Sequence, residues 1–236
     1  MPGGDVCIKG FVESSFLDWP GRVAAVAFLP GCNFRCPFCH NRRLVLTPEK
    51  LEEFPLDGLL SSLASHEGWV DGLVVSGGEP TISPGLEGFL ATVRGRSLAV
   101  KLDTNGSMPE VLIHLVKAGL LEAVAMDIKA PLTREAYSRA AGVPVDVCNI
   151  LKSIDFLVEC GIEAAFRATV VPGLHDEKAV REMAGALHGR RLLLQDFRPD
   201  DALDPAFREI RPFGPDRLKD LQCAADEAAD RCQTGG

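Results

Sequence analysis

Val23-Ala-Ala-Val-Ala-Phe-Leu29 runs directly into Pro30-Gly31-Cys32-Asn-Phe-Arg-Cys36-Pro-Phe-Cys39-His40. The first seven residues form a continuous apolar run of strand length. Pro30-Gly31 ends it, because proline and glycine punctuate regular structure, and three cysteines follow on the loop at C-x3-C-x2-C spacing. Outward from this unit, a strand followed by a longer helical segment recurs along the chain. The pattern predicts further strands at Leu73–Ser76, Leu98–Asp103, Ala123–Ile128, Ala165–Val171 and Arg191–Gln195. It predicts helices around Leu56–His66, Leu86–Val93, Pro109–Ala118, Val147–Cys160, Glu177–Leu187 and Pro215–Arg231. Strands alternating with helices call for a mainly parallel sheet with crossover helices, an α/β class. Gly119, Gly161 and Gly189 stand where a helix C-terminus takes a left-handed residue. Cys7–Val12 is a short additional strand before the first. No internal repeat, low-complexity tract or long linker divides the chain, so a single domain over residues 1–236 is expected.

Periodicity does not choose between a doubly wound open sheet and an incomplete barrel. Both gather chemistry beyond the carboxyl ends of the strands, and the polar and glycine-rich segments fall there. The cysteine loop, residues 30–43, follows the first main strand, and Gly77-Gly78-Glu79-Pro80 follows the second. Asp103-Thr104-Asn105-Gly106, Asp127 with Lys129, Pro172-Gly173 and Asp196-Phe197-Arg198 follow the rest.

Composition excludes several classes. A net charge of −8 over 236 residues gives no basic field for a phosphate backbone, so no nucleic-acid partner is expected. No apolar run approaches the ~20 residues of a membrane span, and the start MPGGDVCIKGF lacks a basic n-region followed by an apolar one. A soluble cytoplasmic protein without a membrane partner is the expectation. Eight cysteines are too few for a disulfide-built scaffold. In a reducing compartment, clustered cysteines bind metal or react.

Cys32, Cys36 and Cys39 supply three soft ligands. A structural zinc site wants a fourth, and His40 lies too near Cys39 to complete a relaxed tetrahedron. A [4Fe-4S] cluster held by three thiolates keeps one iron open; on spacing alone a zinc loop stays possible. The other five cysteines build no second site. At ~100° per residue, Cys223 and Cys232 fall on opposite faces of one helix. Cys148 and Cys160 are about 18 Å apart at ~1.5 Å per residue. Buried structural thiols are the expected state of these and of Cys7. Among the histidines only His40 has a motif to sit in. His66, His114, His175 and His188 are expected to be structural or solvated.

The cysteine spacing resembles the radical S-adenosylmethionine (SAM) superfamily. With Ser15-Phe-Leu-Asp-Trp-Pro-Gly21, Phe28-Leu-Pro-Gly-Cys32 and Cys36-Pro-Phe-Cys39-His40-Asn41, the chain looks like the activating enzymes of glycyl radical enzymes. Asp18-Trp-Pro-Gly21 is most similar to one branch of anaerobic ribonucleoside-triphosphate reductase activating proteins. The resemblance continues through Gly77-Gly78-Glu79, Asp103-Thr104-Asn105-Gly106, Asp127-Ile-Lys129 and Val170-Val-Pro-Gly173, nearly the whole chain.

The resemblance implies an incomplete (β/α)6 TIM-like barrel. It implies a [4Fe-4S] cluster on Cys32, Cys36 and Cys39 that reduces SAM by one electron, yielding methionine and a 5′-deoxyadenosyl radical. It places the SAM ammonium at Gly77, Gly78 and Glu79, and the adenine along Phe38 with the backbone at His40. It places the SAM carboxylate and ribose near Asp103, Thr104, Asp127 and Lys129, with a bound monovalent cation as an option. Helix capping by Asp103 or Thr104, and an Asp127–Lys129 rim salt bridge, are the competing readings. Arg167, in an apolar strand, needs a buried partner and is assigned to the SAM carboxylate or a carboxylate near the cluster. The familiar His near Phe197 is missing from Gln195-Asp-Phe-Arg198, which makes Asp196 and Arg198 candidates for a final contact.

The implied partners are a glycyl radical enzyme, anaerobic ribonucleotide reductase first, and a flavodoxin- or ferredoxin-type electron donor. The ferredoxin-like insertion of some activating enzymes, with its second C-x2-C set, is not expected here. The rivals are a small-molecule radical SAM enzyme similar to 7-carboxy-7-deazaguanine synthase and a non-catalytic Fe–S or zinc protein.

Overall fold

The computed structural model describes residues 6–234. Seven strands form one sheet in chain order: β1 (Gly10–Ser15), β2 (Ala24–Leu29), β3 (Gly72–Gly77), β4 (Ala99–Thr104), β5 (Ala123–Asp127), β6 (Glu163–Val170) and β7 (Leu192–Asp196). The helices are α1 (Arg42–Leu46), α2 (Leu56–Ser65), α3 (Leu86–Arg94), α4 (Pro109–Lys117), α5 (Arg134–Ala141), α6 (Val147–Glu159), α7 (Glu177–Gly185) and α8 (Pro215–Thr234). Strand–helix alternation holds from β2 to β7, the α/β class the sequence calls for, and the sheet does not close into a full barrel, as the resemblance implies. No helix among the described residues is long and apolar enough to cross a membrane.

The chain forms two compact units. The first comprises residues through Asn33, Arg43–Thr104 and Glu110–Val124. Here β1 pairs antiparallel with β2, and β2, β3 and β4 run parallel, with Ala24 opposite Gly72 and Leu29 opposite Gly77. Trp19, wholly buried in the β1–β2 connection, packs on Ala24, Val26, Val74, Ala99 and Ala123. Small residues at the strand starts make that room: a Cβ on Gly72 would meet Trp19 at 3.0 Å and the Ala99 carbonyl oxygen at 2.6 Å.

The second unit comprises Phe34–Arg42, Asn105–Pro109 and the chain from Ala125. In it β6 and β7 are parallel, with Phe166 opposite Leu192. Asp146 caps α6 by accepting from the Cys148 amide at 3.0 Å, and Asp176 caps α7 by accepting from the Ala179 amide at 2.7 Å.

Three expectations are corrected. The first strand covers Gly10–Ser15 rather than Cys7–Val12, because the Ile8 carbonyl accepts from the Phe54 amide (2.8 Å) and the ladder with β2 begins at Gly10 opposite Phe28. Helices α1 and α5 had no counterpart in the prediction. The first is one turn, and the second, Arg-Glu-Ala-Tyr-Ser-Arg-Ala-Ala, buries only Tyr137, Ala140 and Ala141, too few apolar side chains for a clear period. The expected burial of the outlying thiols fails for four of five: Cys148, Cys160, Cys223 and Cys232 are exposed and Cys7 is half-buried. On α8 the inward positions belong to Leu221, Ala224, Ala225 and Ala229, which leaves Cys223 and Cys232 facing solvent.

Candidate active site

In the first unit the segment after β3 is fastened to the start of the cysteine loop. The Gly78 amide donates to the Leu29 carbonyl (3.0 Å) and the Glu79 amide to the Gly31 carbonyl (2.8 Å). Both glycines are obligatory for this contact. Gly77 has φ +126°, and a Cβ there would lie 2.2 Å from the Leu29 oxygen. A Cβ on Gly78 would lie 1.8 Å from the Gly31 oxygen and 3.3 Å from the Cys32 Cβ. Glu79 is fully buried. Its Oε1 accepts from the Thr81 amide (3.1 Å), from the Thr81 hydroxyl and from the Thr104 hydroxyl (2.7 Å). This triple acceptance fixes the carboxylate, as a buried charge requires.

Asp103, also in this unit, pairs with a residue the sequence reading passed over. Lys101, buried in β4, donates to Asp103 Oδ1 at 2.9 Å and to the Asp18 carbonyl at 2.6 Å. The rule that a buried charge needs a partner, applied to Arg167, would equally have singled out Lys101 within Ala-Val-Lys-Leu-Asp. Lys101 therefore supplies Asp103 with a buried countercharge. Neither Asp103 nor Thr104 caps α4, which begins at Pro109.

The second unit holds the rest of the loop. Cys36 is buried and Cys39 half-buried, with the Cys39 amide donating to the Cys36 carbonyl at 3.0 Å. Phe34 meets Tyr137 edge-on, and the Arg35 amide donates to the Ala141 carbonyl at 2.7 Å. The backbone of Gly142 (φ +69°) lies against Arg35 so closely that a Cβ would fall 2.0 Å from its oxygen. The sequence reading also missed Tyr137, the one tyrosine of the chain, since α5 itself was not predicted.

Asp127 at the end of β5 accepts from Arg167 Nε (3.1 Å) and pairs with Lys129 Nζ (3.4 Å). Arg167 thus finds its carboxylate, and the Asp127–Lys129 rim pair is present. Burial alone would raise the Asp127 pKa, but Lys129 and Arg167 outweigh it and hold the carboxyl below its usual range. Burial opposes the Lys129 charge, yet Asp127, the Cys36 and Cys39 thiols and Tyr137 raise its pKa further. A permanent ammonium therefore stands within electrostatic reach of two of the three motif cysteines. The Cys39 thiol is pushed up by burial, with Lys129 working against that. His40 is held below its ordinary range by burial, then by Arg198 and Lys129.

The Asp196-Phe197-Arg198 segment divides in role. Asp196 accepts from three backbone amides, Phe197 (3.1 Å) and Phe213 (3.2 Å) on Oδ1 and Gly214 (2.8 Å) on Oδ2. It is the anchor that returns the 197–214 loop to α8. That loop reaches the cysteine segment, where the Asp204 amide donates to the Pro37 carbonyl (2.9 Å) and Asp201 pairs with Arg42 (3.2 Å). Arg198 is exposed and near enough to His40 to act on its charge.

The donor set fits an iron–sulfur cluster. Three cysteine side chains sit on one loop, and a cation stands by to offset thiolate charge. Among the described residues no three Cys, His, Asp or Glu side chains gather around a single ion position; a cluster in which each thiolate takes its own iron does not ask for one.

The model of the radical SAM superfamily matches residues 26–184, and the chain belongs to that superfamily. It is accordingly an enzyme of radical SAM chemistry, using a [4Fe-4S] cluster and SAM. A Methanocaldococcus jannaschii protein named as a candidate glycyl-radical enzyme activating enzyme is 31% identical over 94% of this chain and 93% of its own length. A pyruvate formate-lyase-activating enzyme of Staphylococcus aureus is 25% identical over 72% of each chain. A Thermococcus kodakarensis protein named as a GTP 3′,8-cyclase is 30% identical over 61% of this chain but only 46% of its own. The solved structure of TYW1 with a lysine-pyruvate adduct bound has TM-score 0.62 at 15% identity, covering 86% of this chain and 73% of that one.

Proposed function

We propose that this chain is a glycyl radical enzyme activase, with anaerobic ribonucleotide reductase as its partner and a flavodoxin- or ferredoxin-type protein as electron donor. The observation that carries the activase reading is the end-to-end likeness to an activating-type relative. The GTP cyclases it resembles are about twice as long as the matched part.

Cys32, Cys36 and Cys39 would hold the cluster, whose role when bound is to supply one electron for reductive cleavage of SAM. The chain's own groups then position and exclude. Lys129 offsets thiolate charge and Arg167 keeps Asp127 ionised and fixed. Glu79, locked by Thr81 and Thr104, offers a preorganised anion for the SAM ammonium, so little reorganisation is needed on binding. Phe38, buried beside Cys39, supplies an apolar face for the adenine, and the backbone at His40 its edge.

The test is anaerobic reconstitution with dithionite and SAM. The expected results are release of 5′-deoxyadenosine and, with a candidate reductase added, a glycyl doublet in the EPR spectrum; Cys36→Ala should abolish both. A full cluster without 5′-deoxyadenosine would sink the reading. Cleavage with no doublet on any glycyl radical enzyme would shift it to a small-molecule substrate.

A further inference from the structure

Lys129 is gripped by its backbone from two sides. The Tyr137 hydroxyl accepts from the Lys129 amide (3.4 Å), and His175 Nε2 lies 2.9 Å from the Lys129 carbonyl. His175 is 3% exposed, and its Nδ1 accepts from the Val171 amide at 3.0 Å. An amide can only donate, so Nδ1 must carry the lone pair; Nε2 then carries the proton and donates to Lys129. The imidazole has one tautomer and no spare valence. Its ring also meets Phe38 edge-on, with centroids 6.4 Å apart at 78°. Phe34 meets Tyr137 in the same manner, at 6.5 Å and 73°. The two aromatic side chains that flank Cys36 in the loop therefore rest on the two side chains that hold Lys129.

From this arrangement we infer that His175 is a positioning residue for SAM binding. It sets the Phe38 ring and the Lys129 backbone in a fixed relation through one imidazole. Its two ring nitrogens are taken up by the Val171 amide and the Lys129 carbonyl. Its effect passes through Phe38, the adenine-facing residue of the proposed function, and through the Lys129 main chain; the inference rests on that reading. The bond to Val171 closes a turn before α7 and is structural, whereas the bond to Lys129 and the ring contact carry the positioning. A rotated or missing imidazole would leave both the Phe38 ring and the end of β5 less constrained, and misplacement of this size is costly in preorganised sites.

The two bonds can be separated by substitution, since asparagine places an acceptor near Nδ1 and glutamine places an N–H near Nε2. His175→Asn keeps the Val171 bond and loses Lys129; His175→Gln does the reverse. With cluster-loaded protein, the expected SAM dissociation constant rises about tenfold in His175→Asn and stays within about threefold of wild type in His175→Gln. Amide hydrogen exchange on the cluster-free protein is the companion measurement, with faster exchange over residues 38–40 expected in His175→Asn only. Leu174→Ala, which disturbs the same turn with both bonds intact, should lower the melting temperature and leave SAM affinity unchanged. Equal affinity in wild type and both variants, or Gln as weak as Asn, would overturn the inference. If His175→Asn folds poorly, His175→Gln against wild type still decides, because a tenfold loss in Gln contradicts it. Should wild type bind neither cluster nor SAM, the proposed function falls, and the exchange comparison still judges His175.

Discussion

Replacing Asp196 by alanine separates a loop anchor from a substrate contact. The carboxylate accepts from the amides of Phe197, Phe213 and Gly214 at 3.1, 3.2 and 2.8 Å. Hydrogen bonds to a charged group contribute about 1.5–3 kcal/mol each. The side chain is half-buried and the freed amides can recruit water, so the expected net cost is about 3 kcal/mol, nearer one and a half such bonds than three. For a chain of this size that corresponds to a fall of about 6–12 °C in melting temperature. Asp196→Asn keeps an acceptor for Phe197 and Phe213 but turns an NH2 toward the Gly214 N–H, so its loss should be about half as large. Calorimetry on the two variants and wild type measures this series. Because the anchored loop meets the cysteine segment through the Pro37 backbone and the exposed Arg42–Asp201 pair, SAM cleavage by folded Asp196→Ala should stay within about threefold of wild type. An Asp196→Ala protein that melts like wild type yet no longer cleaves SAM would refute the argument and return Asp196 to the substrate.

Gly78→Ala forces a methyl to within 1.8 Å of the Gly31 oxygen, whereas a Cβ on Gly88 meets nothing within 4 Å. Gly78→Ala should cost about 3 kcal/mol or more and lower bound iron per chain, while Gly88→Ala in α3 should be neutral or stabilising; iron analysis and melting curves read both. His175 also predicts a pH dependence. Burial chiefly, with Arg139 adding to it, holds the folded imidazole below its ordinary range. The unfolded chain therefore takes up the proton first, near pH ~6.5. The stability contributed by the neutral ring is complete above that pH and is lost as pH falls toward the folded value. The drop in melting temperature between pH 7 and pH 5 should be steeper in wild type than in His175→Asn, and equal drops would contradict the assignment.

Much of this was legible in the sequence because apolar strand runs and glycine stops are local signals. All six main strands fall within two residues of their predicted ends, and Gly119 and Gly161 take positive φ as expected of helix ends, whereas Gly189, also at positive φ, lies in a turn beyond α7, which stops at Gly185. Arg167 was legible for a different reason: a guanidinium in an apolar strand demands a partner, and Asp127 provides it. Most of what escaped lacked such a signal. The capping of the 197–214 loop by Asp196 depends on where Phe213 and Gly214 return in space. His175 in Gly-Leu-His-Asp looks like any polar residue before a helix until the Lys129 carbonyl is brought to it. Lys101 had the same signal as Arg167 and was overlooked.

The cysteine loop itself explains why ligand identity and ligand position part company. Its spacing names three thiols, but little of its own sequence can fix them, since only Phe34 and Phe38 among its non-cysteine side chains between positions 33 and 40 are buried hydrophobics. The backbone is therefore held from elsewhere. In the first unit, Gly31 is fixed by the Glu79 amide and by the absence of a side chain on Gly78. In the second, Phe34 and Arg35 are fixed by Tyr137, Ala141 and Gly142, and Phe38 by His175. This also gives Gly77-Gly78 a second physical reason. Their missing Cβ atoms admit the loop's own backbone, so a substrate ammonium at this segment must approach from the side those contacts leave, where Glu79 is already locked by Thr81 and Thr104. Substitutions that keep every cysteine can thus still move the thiols, and those at Gly78, Gly142 and His175 should do so most.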